Sequence, residues 1–563
     1  MSAQSLEFTL SSRTIHMFLA CLAVVPAGCA AAPAPESKVP AFTAETFSKH
    51  IQVLASDEFE GRRPATAGEE KTVAYIEEAY RQAGLVPGVG ASYRQPVPFV
   101  ELTTIPEETL RVVKAGGESV SLRYGDDAVY WTNRVVPQIG LEQSELVFVG
   151  YGIVEPALDW NDYAGLDMKG KTAVILVNDP GFATNDPALF KGRAMTYHGR
   201  WTYKYEEAAR QGAAGAIIVH EEEPAAYPWA VLQNGAARPQ LVIESPDGGA
   251  SRVGMLGWMT REAALRVFTA AGLDYDAVKA TAAQRGFRPI PMGLTASTSV
   301  RNAIRRANSS NVVGVLPGTK RPDEYVIVTA HWDHLGKALA FSGDAIFNGA
   351  LDNATGTAGL LELARAFSEV RPRPERSVAF VAFTGEEYGL LGSEYFGQHP
   401  TVPLAKVAGG LNIDGMGVIG RTRDVTVLGY GSSELEERLR EAANRQGRVL
   451  QPEPTPEKGY YYRSDHFNLA RQGVPMLYAK SGIDSVAHGS EWGLAQQADY
   501  VANRYHKPSD EFDPAWDLGG ALDDLQLYFD VLYRLAGESD FPEWYPENEF
   551  RPIRERSRAG AAP

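Results

Sequence analysis

Cysteine is nearly absent: the 563 residues hold two, Cys21 and Cys29, both before residue 30. No disulfide can staple the body of the chain, and a cysteine-based zinc finger is excluded. An excess of positive charge is missing too. Fifty-four Lys and Arg stand against 70 Asp and Glu, a formal charge of −16 at pH 7. Most of such a surface repels a phosphate backbone, which argues against nucleic acid as a partner. No apolar run approaches the roughly 18 residues that a membrane-spanning helix needs. What is present, 44% hydrophobic and 22% charged positions, is too apolar for disorder and long enough for two or three globular domains.

The amino end reads as an export signal. Arg13 and His16 precede the apolar run Met17 to Val25, which has the length of a signal-peptide core and is too short to cross a bilayer. The following Pro26-Ala27-Gly28-Cys29-Ala30-Ala31 resembles a bacterial lipoprotein signal with Cys29 as the acylated first residue, Pro26 departing from the usual leucine. Simple cleavage after Ala32 or Ala34, releasing a periplasmic or secreted protein, is the alternative. Residues 1–28 are thus expected to be a signal peptide and residues 29–43 an Ala/Pro-rich tether, with any membrane contact made through Cys29.

Apolar periodicity predicts helices near 44–55 and 68–84. From 140 to 290 the texture changes to short buried strands, at 146–150, 172–177 and 216–220, around a helix at 203–211. This stretch reads as a small inserted module, splitting a main domain into 44–139 and 291–540. Beyond 310, strands at 324–330, 377–383, 409–414 and 474–480 alternate with helices at 357–370, 433–446 and 521–535. The expected fold is therefore α/β, a mostly parallel mixed sheet with helices on both faces. The arginines at 551, 554, 556 and 558 mark residues 541–563 as a solvated tail.

Chemistry collects at the carboxyl ends of these strands, where functional groups gather in open α/β sheets. One strand runs into His331-Trp-Asp333-His334, another into Thr384-Gly-Glu386-Glu387, and a third stops at Asp414. Asp352 lies in a turn before a helix, and His506 in a late loop. Each alone has an ordinary explanation as a core histidine, a cap or a surface acid. Two adjacent carboxylates directly after a buried strand, however, are costly without a cation, and the whole set in this order is hard to reach by chance.

Together, Ala330-His-Trp-Asp-His-Leu-Gly, Gly349-Ala-Leu-Asp-Asn-Ala-Thr-Gly, Thr384-Gly-Glu-Glu-Tyr-Gly-Leu-Leu-Gly-Ser, Asn412-Ile-Asp-Gly-Met and Tyr505-His-Lys-Pro-Ser-Asp resemble the co-catalytic di-zinc aminopeptidase and glutamate carboxypeptidase family. Residues 54–62 resemble its amino-terminal segment, and 140–290 resembles the protease-associated domain that many members carry as an insertion. Leu351 departs from an aspartate common at that place.

The resemblance implies two Zn²⁺ ions, with Asp352 bridging, His331 and Asp414 completing one shell, and Glu387 and His506 the other. Imidazole and carboxylate suit zinc, and of the two only a carboxylate bridges. Glu386 is left to act as the proton carrier. Asp333 is expected to accept the hydrogen bond from the other ring nitrogen of His331, and Tyr505 to donate to the oxyanion or to pack. Ser464 reads as a helix N-cap and Asp465 as a pocket-edge residue; His198 and His220 read as structural. The glycines of 415–420 match a dinucleotide fingerprint, but a strand-like run follows them instead of a helix, so the match fails.

The expected activity is that of a zinc exopeptidase on peptide substrates, an aminopeptidase first. The alternatives are a glutamate carboxypeptidase-like enzyme, which would need an arginine cluster and offers only Arg463 within a pocket-like motif, a one-metal glutaminyl cyclase, and a non-catalytic receptor on the same fold.

Overall fold

The computed structural model describes residues 41–117, 119–338 and 343–560. The expected signal peptide, Cys29 and the tether up to residue 40 lie outside the described residues.

Strand Arg376–Phe383 is buried at every position, as a strand covered on both faces must be. It pairs in parallel with Arg321–His331, which pairs in parallel with Val407–Asn412, and that strand with Met476–Ser481. Antiparallel strands close both sides: Ile290–Leu316 beside Arg376–Phe383, and Asp424–Val427 beside Met476–Ser481. The sheet is thus mixed and mostly parallel at its centre.

Period-two alternation sends successive side chains to opposite faces. Val326, Val328 and Ala330 pack with the helices Ala44–Leu54, Thr355–Glu369 and Gly519–Gly537. Ile327 faces the other way, into a smaller core with Phe396, Leu469 and Val474. Helix Gly489–Asn503, which no apolar stripe announces, buries only Gly493.

Strand Ile290–Leu316 joins the two halves of the molecule. Its first part pairs with Thr109–Lys114 and Gln138–Phe148, its middle with Arg94–Pro106, and its last residues with Arg376–Phe383. The module has its own parallel strands, Gln138–Phe148, Thr172–Leu176, Gly215–His220 and Met255–Thr260. It also begins earlier than residue 140. Leu110, Val112, Leu122 and Tyr130 pack in one core with Phe148 and Val174, because the short strands after Pro106 bury their apolar faces only against the module.

The carboxyl-terminal segment is not a solvated tail. Trp544 and Phe550 are buried, and Arg554 is buried at the head of strand Val407–Asn412, donating to the Val407 carbonyl at 2.8 Å. Arg551 and Arg558 pair with Glu555 and Glu543. A row of arginines reads as solvated in sequence, yet the aromatic anchors beside it bring one guanidinium onto strand-end carbonyls.

Candidate metal centre

The carboxyl ends of the parallel strands converge on one cluster. His331 is the last residue of its strand, Asp414 lies just past Asn412, and Glu386 and Glu387 open a turn after Phe383. Asp352 sits before helix Thr355–Glu369. His506 follows helix Gly489–Asn503 in the left-handed region, φ 57°, a conformation that a non-glycine residue holds only when its surroundings impose it.

Asp352 stands between two groups of donors. Its Oδ1 is 3.4 Å from His331 Nε2, and its Oδ2 is 3.2 Å from His506 Nε2. His331 Nε2 is also 3.8 Å from Asp414 Oδ1, and His506 Nε2 is 3.0 Å from Glu387 Oε2. The expected ligands are therefore brought together, with the shared carboxylate in the middle.

His334 joins them. Its Nδ1 hydrogen-bonds Glu387 Oε1, and its Nε2 is buried with no hydrogen-bond partner among the described residues. Donor atoms of His331, Asp352 and Asp414 lie within 4.8 Å of one another, as do those of His334, Asp352 and Glu387. These are imidazole nitrogens and carboxylate oxygens, the donor chemistry of zinc, and the orphaned His334 nitrogen is an additional free donor. The residues present fit a pair of divalent cations.

Asp333 corrects the sequence reading. The carbonyl oxygen of Asp333, not its carboxylate, receives His331 Nδ1 at 3.2 Å; the carboxylate is 3.9 Å away. That bond still fixes the tautomer and leaves Nε2 for the cluster. The Asp333 carboxylate instead accepts the Glu386 N–H at 3.1 Å, so it positions the backbone of the proposed proton carrier.

Ser464 is not a side-chain cap either. It accepts from Asn412 Nδ2 at 2.7 Å, and the helix His466–Ala470 starts without a side-chain cap. Asp465 is fully buried rather than at a pocket edge. Tyr505 stacks on the His506 ring, 3.8 Å between centroids, and its hydroxyl bonds to no described residue. His198 pairs with Glu155, and His220 bonds the Tyr227 carbonyl.

The electrostatics divide the acids. Burial pushes every one of them up, but Lys480 and His331 hold Asp414 down at about 2, and His506 and His334 hold Glu387 at about 2. Asp352 lies well below the ordinary range through His331 and His506. Glu386 goes the other way: burial raises it well above 4.5, against the pull of His331 and aided by Glu387 and Asp414. Acids facing the histidines are held ionised, while the remaining one is poised to take a proton.

Three further residues support the cluster. Tyr478 donates to Asp414 at 3.2 Å. Asp510 accepts the N–H groups of Leu351 and Asp352 at 3.0 and 3.1 Å, fixing the turn that carries the shared carboxylate. Arg62, buried, donates to the carbonyls of Trp332, Asn348 and Gly349, tying the His331 and Asp352 segments together. Of these, Arg62 and Asp510 fall within the family-like motifs, and that placement is the signal that marks them; Tyr478 has none.

Residues 311–529 match the family model of Peptidase family M28. Aminopeptidase NAALADL1 of Rattus norvegicus is 37% identical over 118 residues, which is 20% of this chain and 14% of that protein. A probable zinc metalloprotease of Pyrenophora teres f. teres is 37% identical over 111 residues, 20% of this chain and 23% of that one. The chain therefore spans less than a quarter of the length of these relatives. Among solved structures, an aminopeptidase from Aneurinibacillus sp. strain AM-1 aligns over 89% of this chain and 95% of its own, with 21% identity and a TM-score of 0.49.

Proposed function

We propose that the chain is a zinc-dependent exopeptidase, first an aminopeptidase, that binds two Zn²⁺ ions and is exported. The observation that carries this reading is the placement of Asp352 between His331 and His506 with Glu386 left free beside them. Bound through His331, Asp352 and Asp414 on one side and Asp352, Glu387 and His506 on the other, zinc would acidify a water and polarise the scissile carbonyl.

The chain's own residues then handle the proton. Glu386, pushed toward protonation, takes a proton as the water oxygen attacks the carbonyl carbon. It returns that proton to the amine nitrogen as the C–N bond breaks. Asp333, holding the Glu386 N–H, keeps the carboxylate's stem in place during both transfers. With its Nδ1 bonded to the Asp333 carbonyl, His331 would present Nε2 to a bound ion. Tyr505 covers the outer face of His506 and limits its movement.

The inserted module, read as a protease-associated domain, belongs to the same proposal, as does Cys29 as a lipid anchor; mass spectrometry of the mature amino terminus decides between acylation and simple cleavage. Glu386→Gln tests the chemistry. Hydrolysis of an aminoacyl anilide should fall by about a thousandfold, within the range for a lost general base, while zinc content stays unchanged. Unaltered turnover would remove Glu386 from the reaction.

A further inference from the structure

The amino-terminal segment supplies a second arginine beside Arg62. The hydrogen bonds of Arg62 reach the His331 and Asp352 segments, and among the described residues none goes to the turn Glu386–Tyr388. Arg63 serves that turn. Its Nε donates to the Tyr388 hydroxyl at 2.9 Å, and its Nη2 to Glu101 Oε2 at 2.7 Å. Arg305 donates to both oxygens of the same carboxylate, at 3.1 and 3.0 Å. Glu101 and Arg305 face each other in the antiparallel register of strands Arg94–Pro106 and Ile290–Leu316, so the sheet itself sets their approach. Arg305 and Arg63 hold Glu101 below the ordinary carboxylate range, and the link stays charged at neutral pH.

The same strands brace the turn by packing. Alternation puts Val97, Phe99 and Glu101 on one face of their strand. Val97 and Phe99 form a small core with Leu241, Ile243 and Leu391, and Tyr388 packs against it. Gly385, at φ 66°, leads into the turn where a Cβ would lie 3.0 Å from the Phe99 ring. Tyr388 is thus apolar at its ring and anchored at its tip, the arrangement a largely buried tyrosine needs.

The entry to the turn is fixed as well. Asn311 Oδ1 accepts the Thr384 N–H at 3.1 Å, and the hydroxyls of Ser309 and Thr384 share a bond of 2.6 Å. Glu386 and Glu387 therefore lie between an anchored Thr384 and an anchored Tyr388. They are adjacent acids with different work, one facing the histidines and one left for the proton. A misplacement of about 1 Å at such a group costs on the order of a hundredfold in rate.

We propose that Arg63, acting through Tyr388, is a positioning residue for the turn that carries Glu386 and Glu387. Neighbouring arginines then brace three segments of the cluster: Arg62 those of His331 and Asp352, and Arg63 that of the paired glutamates. The effect on turnover rests on the peptidase reading above.

The test uses the full zinc-loaded chain, an aminoacyl anilide at saturating zinc, and the variants Tyr388→Phe, Arg63→Met, Arg63→Lys and the double Arg63→Met/Tyr388→Phe. Tyr388→Phe keeps the ring and removes only the anchored tip. It should lower kcat about tenfold, the low end for losing a group that orients a metal ligand, with KM within about twofold of wild type, the signature of a loss felt in the transition state. Arg63→Met should do the same and Arg63→Lys somewhat less. The double variant should fall no more than about twofold below the weaker single, because the two residues form one link. A purely structural role would lower the urea midpoint and leave the kcat of folded protein unchanged, and that result overturns the proposal, as does a double variant whose losses multiply. Should Arg63→Met fail to fold, Arg63→Lys takes its place in the cycle. If the wild-type chain hydrolyses no anilide, the peptidase reading fails by itself, and competition with a chromogenic chelator decides the positioning role. Zinc held about tenfold more weakly by Tyr388→Phe supports it, and unchanged affinity overturns it.

Discussion

Replacing Arg62 tests how the cluster is held. The side chain is buried, and it donates from Nε to the Trp332 carbonyl at 2.9 Å, from Nη1 to Leu54 and Asn348 at 2.7 and 2.6 Å, and from Nη2 to Gly349 at 2.9 Å. Trp332 follows His331, and Gly349 opens the turn to Asp352, so one guanidinium fixes two ligand segments. Burial lowers Arg62 to about 10, with Asp352, Asp510, Asp333 and Glu387 opposing the fall; it is a cation at neutral pH. Arg62→Met keeps much of the volume and strands four buried acceptors. At about 1–3 kcal/mol for each unsatisfied group, reduced by local relaxation, the loss should be roughly 4–6 kcal/mol. That is a large part of the roughly 5–15 kcal/mol that a typical protein has. Arg62→Lys preserves the charge but not the fork and should recover only part of the loss. Urea denaturation of zinc-loaded and chelated protein measures the first effect, and competition with a chromogenic chelator measures the accompanying weaker zinc binding. A loss below about 1 kcal/mol with unchanged zinc affinity, against the expected cost of stranded acceptors, would refute the clamp.

His334→Gln should weaken zinc at the Glu387 side by about 10–100-fold, whether the ring binds the ion or orients Glu387; unchanged competition titrations would leave His334 a packing residue. Burial raises Glu69 from its ordinary 4.5 to about 7. The folded chain then holds a proton that the unfolded chain releases, so this contribution is complete below about pH 4.5 and is lost as pH rises to about 7, up to about 3 kcal/mol. Glu69→Gln should flatten that part of the stability profile, and an unchanged slope would contradict the assignment. Asp510→Asn puts an amide against two N–H donors and should cost about 1–3 kcal/mol, read as a shift of the denaturation midpoint.

Much of the half that carries the cluster was legible because its signals are local. Buried strands of Val, Ile, Phe and Ala such as 376–383, followed at once by acids or histidine, need no tertiary knowledge to be read. His334 stood in the same motif as His331, but spacing alone did not say which histidine faces the cluster. The choice between the Asp333 carboxylate and its carbonyl depends on the backbone path after the strand, which no periodicity encodes. Arg62, Asp510 and Tyr478 come from segments far apart in sequence and meet only in the fold. The strands at 109–131, which share a core with Phe148 and Val174, went unread because each is only four to six residues long.

On the proposed function, Asp352 is shared by two metal ions. Dialysis against buffered zinc followed by mass-spectrometric metal counting tests it directly, on the wild-type chain and on Asp352→Asn. Two zinc ions per wild-type chain, falling to one or none in the variant together with peptidase activity, is the result expected. A single zinc in the wild type, or two retained after Asp352→Asn, would contradict it.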